Sequence, residues 1–286
     1  MVTLTADSGA DNTADARRRS SVRPPLRFPA WLAIPAALGI AVLALPLVAL
    51  LVRLDWSEVP AAISSPAAIQ ALTLSLVTAT IATITCVVLG VPLALLIARS
   101  SRPTAAVLRT LATLPLVLPP LVGGIALLAL LGRNGLFGEA FAVAGIRVPF
   151  TTAAVVIAQT FVALPFLVIS VEGALRSVGT RFEVVGAGLG AGRFTVFRRI
   201  TLPLVAPGLL AGTVLCFARA LGEFGATALF AGNAPGTTRT MPLAIYTAFN
   251  GAGVSEDTAI ALSLMLIVVA IAVLLVMRGW REDAPR

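Results

Sequence analysis

The chain has 286 residues, of which 58% are hydrophobic and 12% charged, and its mean hydropathy is +0.99. This composition lies far outside the range of soluble proteins and excludes a soluble globular class. The formal net charge is +8, but the basic residues are scattered over several loops, so the charge does not indicate a nucleic-acid-binding surface.

Six apolar runs follow one another along the chain, each long enough to cross about 30 Å of hydrocarbon as a helix. They cover roughly residues 30–52, 67–98, 105–131, 151–171, 205–231 and 258–277. No run shows the alternation of apolar and polar residues that is typical of a membrane β-barrel. The sequence therefore predicts an all-α membrane protein, with a six-helix domain over residues 30–277 and a tail over residues 278–286.

The first 29 residues consist largely of Ala, Asp, Ser, Thr and Arg, a composition that predicts disorder. The apolar run that follows is longer than the core of a typical signal peptide, and no clear small-residue cleavage site ends it. We therefore expect an uncleaved first helix.

Arginine positions predict the orientation in the membrane, because the chain contains no lysine. Arginines are concentrated before the first run, in the second and fourth connections and in the tail, and the other connections have few. The positive-inside rule then places both termini and the fourth connection, residues 176–204, in the cytoplasm.

The absence of lysine and histidine excludes several kinds of chemistry. A conventional P-loop requires a lysine, and a Ser-His-Asp triad or a His-ligated metal site requires a histidine. Cys86 and Cys216 lie inside two predicted spans, where small buried hydrophobic side chains are the expected role. The sequence thus predicts no catalytic residue, no cofactor and no metal site, and the chain is not expected to be an enzyme.

Prolines interrupt the third predicted span. Pro119 and Pro120, followed by Gly123, must break the helical hydrogen-bond ladder. Carbonyl groups freed at membrane depth are tolerated only where protein or a water-filled cavity covers them. The kink therefore either lines a pathway or is an ordinary bend in a packed bundle.

The fifth predicted span contains two charges, Arg219 and Glu223. They are four residues apart, so they share one face of a helix and can form an ion pair. Charges at this depth cost at least about 2.5–3.5 kcal/mol each on insertion scales. Two interpretations follow: the face meets a transport route on which Arg219 favours an anion, or the pair is structural.

Residues 181–203 form a polar, Gly- and Arg-rich segment between two spans. It is too long for a plain linker, and glycine at four alternate positions would destabilise an isolated helix. We expect a second protein to dock there.

This segment resembles the cytoplasmic EAA loop of binding-protein-dependent ABC importer permeases, whose pattern is E-A-A-x(3)-G-x(9)-I-x-L-P. Four positions match at the family spacing: Gly190, Ile200, Leu202 and Pro203. The family glutamate falls on Val184, while Glu183 lies one position earlier, about 100° away around a helix. Glu183 is therefore a candidate substitute for the family carboxylate.

A more specific resemblance covers roughly residues 65–277. The stretches LPLVLPPLVGGIALLALLGRNGLFG and FARALGEFGATALFAGNAPGTTRTMPLAIYTAFN are similar to the molybdate-type permeases. The resemblance implies a type I permease that moves molybdate, with tungstate indistinguishable and sulfate or thiosulfate as the alternative. It implies alternating access in a homodimer within a prokaryotic cytoplasmic membrane, with two cytoplasmic ATP-binding subunits and an extracytoplasmic binding protein.

Charge arithmetic is consistent with this resemblance. Importing a dianion against an interior-negative potential costs roughly 4.6 kcal/mol per 100 mV, and a chain without lysine needs a separate subunit to bind ATP. The rival is an ion-coupled secondary transporter or channel, which needs a protonatable relay or discontinuous helices in matched halves. A membrane scaffold without transport is a third possibility.

Overall fold

The computed structural model describes residues 30–251 and 256–282. These residues form thirteen α-helices and one π-helical turn, with no strand among them. The all-α prediction is thus confirmed for the described part of the chain. The predicted disorder of residues 1–29 lies outside it.

The first helix, α1 (Ala30–Arg53), forms a unit of its own. It is almost entirely apolar, ends at Arg53 and contains Pro35 and Pro46. Its length and composition are sufficient to cross a membrane.

The second unit begins with a short helix, α2 (Val59–Ser64), followed by the 34-residue α3 (Pro66–Arg99). Ser65 caps α3, because its Oγ accepts a hydrogen bond from the Ala68 N–H at 3.2 Å. Pro66 occupies the first turn, where its missing N–H costs nothing.

The predicted proline kink separates two helices, α4 (Arg102–Val117) and α5 (Pro120–Leu131), whose axes differ by 115°. Pro120 can begin a helix but cannot continue the preceding one, because it has no N–H to donate. The two helices therefore form a broken element in place of one straight span.

The core lies where the central helix α7 (Thr152–Val178) packs against α3 and against α10 (Leu202–Leu221). Small residues allow these helices to approach closely. A Cβ atom placed on Gly212 of α10 would lie 2.9 Å from the Cβ of Ser170 on α7. Between α5 and α7 lies the short helix α6 (Gly138–Val143).

The segment between α7 and α10 is itself structured. It forms α8 (Arg181–Gly188), α9 (Arg193–Val196) and a π-helical turn over Phe197–Thr201 that leads directly into α10. The Leu202 N–H donates to the carbonyl of Phe197, five residues back.

The fifth predicted span, 205–231, is wrong as a continuous helix. α10 ends at Leu221, and α11 (Gly225–Phe230) begins after a break at residues 222–224. The break is stabilised by the Glu223 side chain, whose Oε1 accepts a hydrogen bond from the Ala226 N–H at 2.8 Å. The chain continues through α12 (Met241–Phe249) to α13 (Glu256–Glu282).

Four segments of the described residues are long and apolar enough to span a membrane, and the bent pair α4–α5 makes a fifth if it counts as one span. Within α13 the apolar stretch Asp257–Val273 is shorter. The structure therefore supports a multi-pass membrane protein with four to five such spans, and the number six stays a prediction.

Candidate functional site

A cavity of about 180 Å³ lies at the break between α4 and α5. Pro119, Pro120 and Gly123 line it together with Phe161 of α7 and Arg219 of α10. The sequence predicted the kink and the buried charge as separate features, and the fold brings them to one site. A single water needs only about 15 Å³ on this kind of measure, so the cavity can hold a small solvated ion.

Arg219 and Glu223 form the predicted ion pair, with 2.6 Å between Nη1 of the arginine and Oε2 of the glutamate. The Glu223 side chain is 1% exposed, whereas the Arg219 side chain is 29% exposed. The guanidinium has five N–H donors, and its other nitrogens have no hydrogen-bond partner among the described residues. The carboxylate is thus buried and paired, while the partly exposed guanidinium is among the groups that line the cavity.

Gly190 ends α8 in a left-handed conformation, with φ at +85°. The Gly190 N–H donates to the Ala187 carbonyl and the Ala191 N–H to the Gly186 carbonyl, at 3.0 and 3.1 Å. This pattern is a Schellman motif, which favours glycine at the position of positive φ. The glycine in the matched family pattern therefore ends the helix and turns the chain.

Of the other matched positions, Ile200 packs against α8. A Cβ atom on Gly186 would lie 2.5 Å from Cδ1 of Ile200, so α8 and the π-helical turn pack without space for a larger residue. Leu202 begins α10, and Pro203 lies in its first turn. Val184, which aligns with the family glutamate, is exposed on α8.

The Glu183 carboxylate is engaged within the chain. Its Oε1 accepts hydrogen bonds from Nη2 of Arg99 and from Oγ1 of Thr201, both at 2.5 Å. These contacts connect α8 to the end of α3 and to the π-helical turn. Glu183 therefore stabilises the position of α8 in this structure.

Several apolar side chains on α8, on α9 and at Leu189, directly after α8, are exposed. Leu189 is 85% exposed and Phe194 is 73% exposed. Large apolar side chains grouped on a polar segment are typical of a protein-interaction surface. We call this group the coupling patch, and its members are Phe182, Val184, Val185, Leu189 and Phe194.

Sequence reasoning missed one buried charge, Glu172. It lies on α7, and its side chain is 6% exposed. Arg109 of α4 donates to it from Nε and Nη2, and Arg176 donates from Nε at 2.7 Å. The predicted span ends at residue 171, whereas α7 continues to Val178. The spacing of Glu172 and Arg176, four residues apart, was the signal that could have extended the helix.

Cys86 and Cys216 are free thiols, fully buried in the core between α3, α7 and α10. They act there as small hydrophobic side chains, as the sequence predicted.

Comparison with known proteins identifies the family. Residues 90–282 match the family model of the binding-protein-dependent transport system inner membrane component. The chain belongs to this family. As a permease of this type it is a component of an ABC importer and a multi-pass membrane protein.

Two relatives are similar over most of their length. The molybdenum transport system permease protein ModB of Mycobacterium tuberculosis is 54% identical over 254 residues, which cover 89% of this permease and 95% of that protein. ModB of Escherichia coli is 42% identical over 208 residues, 72% of this permease and 90% of that protein.

A solved structure supports the fold assignment. A chain of a bacterial ABC transporter involved in the import of the acidic polysaccharide alginate matches with a TM-score of 0.70 and 19% identity. The match covers 89% of the permease and 95% of that chain. At this identity the likeness concerns the fold alone, and it agrees with a type I permease.

Proposed function

We propose that this permease carries molybdate into the cell as the membrane subunit of an ATP-driven importer. The observation that carries the proposal is Arg219, which lines a cavity at the α4–α5 break with donors left over from its ion pair. Oxyanions are bound well by arginine, because its planar guanidinium presents several N–H groups to the oxygens. The choice of molybdate as the proposed substrate rests on the similarity to the two ModB proteins.

The assembly we propose is a permease homodimer with two cytoplasmic ATP-binding subunits and an extracytoplasmic molybdate-binding protein. The coupling patch supports the first contact, since its apolar side chains are exposed on a segment that the arginine distribution assigns to the cytoplasm. Both termini are assigned to the same side, with six spans in the cytoplasmic membrane of a prokaryote.

The mechanism we propose is alternating access. ATP binding closes the two ATP-binding subunits, moves α8 and opens the permease outward to receive the oxyanion. Hydrolysis and release return it to the inward state. The Arg219 cavity holds the ion briefly, because a guanidinium already paired with Glu223 attracts a second anion less strongly than a free one.

Ion-coupled secondary transport receives less support. Such a mechanism needs an acidic group that can gain and lose a proton within the membrane. Both buried glutamates of the described residues, Glu172 and Glu223, are ion-paired with arginine, so neither is left as an unpaired acidic group within the membrane.

Reconstitution of the permease with its ATP-binding subunits and its binding protein tests the proposal. Radiolabelled molybdate should accumulate inside proteoliposomes only when ATP is present on the cytoplasmic side, and a protonophore should have no effect. Unlabelled tungstate should compete well and sulfate poorly. Uptake without ATP would contradict the proposal, and better competition by sulfate would assign the permease to sulfate or thiosulfate.

A further inference from the structure

Two carboxylates and two arginines connect two turns at one end of the helix bundle. Glu172 and Glu183 lie on either side of the turn between α7 and α8. Arg99 and Arg109 lie on either side of the turn between α3 and α4. Arg99 pairs with Glu183 and Arg109 pairs with Glu172, so each turn is bound to the other at two points.

The geometry of both pairs is that of strong charge-assisted hydrogen bonds. Nη2 of Arg109 lies 2.5 Å from Oε1 of Glu172, and its Nε lies 3.2 and 3.1 Å from Oε1 and Oε2. Nη2 of Arg99 lies 2.5 Å from Oε1 of Glu183. Both glutamate side chains are largely buried while both arginines are about half exposed. Carboxylates in such an environment are held in fixed positions.

The remaining attachment of α4 is slight. Only Ala105 of this helix is buried, and Leu108 and Ala112 are its partly buried contacts with the core. The opposite side exposes large apolar residues, including Val107 and Leu111. Because few apolar side chains hold α4 on α7, the Arg109–Glu172 pair accounts for much of its orientation.

The position of α4 matters for the candidate site at its other end. Pro115, Leu116 and Leu118 line the Arg219 cavity on the α4 side of the break. Arg109 and Pro115 are six residues apart on α4, about two helical turns, so we expect a displacement at Arg109 to reach the cavity lining. The α3–α4 turn therefore connects α8, through Arg99, with the helix that lines the Arg219 cavity.

We infer that Glu172 and Glu183 are positioning residues that make the α3–α4 turn move together with α8. Through the paired arginines, a movement of α8 is passed to α4 and changes the shape of the Arg219 cavity. The role of this movement in transport rests on the proposed function. The connection between α8 and α4 does not, because it follows from the ion pairs within this chain. We call the four side chains the corner clamp.

A distance measurement tests the corner clamp without reference to transport. Spin labels are attached at Ala187 on α8 and Val107 on α4, both exposed positions, after replacement of Cys86 and Cys216 by alanine. The assembled complex is measured in lipid nanodiscs with and without ATP. In the otherwise unaltered chain we expect one narrow intramolecular distance distribution that stays narrow in both conditions.

The decisive variant is Arg109→Gln. It releases α4 while Glu172 keeps its contact with Arg176, so the buried carboxylate remains paired and the protein is expected to fold. The distribution should broaden, and Arg109→Lys should narrow it in part, because lysine retains the charge but not the forked geometry. The matched control is Arg102→Gln, which changes an exposed arginine of the same helix that has no ion-pair partner among the described residues.

A functional readout separates positioning from simple stability. At equal amounts of assembled complex, the ATP hydrolysed per oxyanion transported should rise in Arg109→Gln by roughly 2- to 30-fold, the range typical of mutations between linked sites. The Arg102→Gln control should leave this ratio unchanged. A structural role alone would lower the amount of complex and leave the ratio as it was.

The outcomes are distinct. An Arg109→Gln distribution as narrow as that of Arg102→Gln would overturn the corner clamp, whatever ion is transported. A broadened Arg109→Gln distribution, when the unaltered complex transports no oxyanion, would support the clamp and refute the proposed function. Broadening together with an unchanged ratio of ATP to oxyanion would overturn the role of the clamp in coupling.

Discussion

The Arg219–Glu223 pair predicts an asymmetry between two single substitutions. Arg219→Gln leaves the Glu223 carboxylate, which is 1% exposed, without its cation. An unpaired buried charge of this kind costs about 3–5 kcal/mol. Glu223→Gln is milder, because the amide oxygen can still accept from the Ala226 N–H and Arg219 can turn to the cavity. Its cost should be about 1–2 kcal/mol, the size of one hydrogen bond.

Thermal unfolding of the purified permease in one detergent measures this difference. Arg219→Gln should melt roughly 5–10 °C below Glu223→Gln, at about 2–4 °C per kcal/mol for a chain of this size. The double variant should melt above Arg219→Gln, since it removes both charges together. Equal melting temperatures for the two single variants would refute the reasoning, because leaving the buried Glu223 carboxylate unpaired would then cost no more free energy than replacing it.

Three further predictions concern the helix contacts and the residues from α8 to α9. Gly212→Val should destabilise the permease by about 1–3 kcal/mol, because its side chain has no space beside Ser170, and thermal unfolding with Gly39→Val in α1 as control would show it. Gly190→Val should abolish co-purification of the ATP-binding subunit, because a β-branched residue is strained at φ +85°, whereas Gly192→Ala, at φ −65° with open space around it, should not. Leu189→Ser should leave permease abundance unchanged and weaken the same co-purification, and normal assembly in this variant would exclude the coupling patch as the contact surface.

Local patterns predicted the local features of this fold. Pro119 and Pro120 predicted the break between α4 and α5, because proline lacks the N–H that a continuing helix needs. The spacing of Arg219 and Glu223 predicted their ion pair. The position of Gly190 in the matched pattern agreed with a helix end, since its positive φ favours glycine.

Contacts between residues that are far apart in the sequence could not be predicted from such local patterns. The meeting of Arg219 with the proline break depends on the packing of α10 and α11 against α5 and α7. Glu172 was not predicted as part of the helix, because a charged residue at the end of an apolar run is typical of a loop. Its partner Arg109 lies 63 residues away in the sequence, so the ion pair left no local pattern. The sequence did not predict the end of α10. Glu223 accepts a hydrogen bond from the backbone N–H three residues later, but a glutamate within an apolar run is not a typical signal for the start of a new helix.

The most direct test of the account is molybdate uptake by the Arg219→Gln/Glu223→Gln double variant, reconstituted with its partner subunits and compared with the unaltered permease at equal amounts of assembled complex. The double change keeps the cavity and removes the buried charge, so a folded complex is expected. The account predicts that ATP hydrolysis continues while uptake falls about 10- to 100-fold, the scale of losing a charge-assisted hydrogen bond to the ion. Uptake at the unaltered rate would contradict it, because the cavity arginine would then have no part in moving the oxyanion.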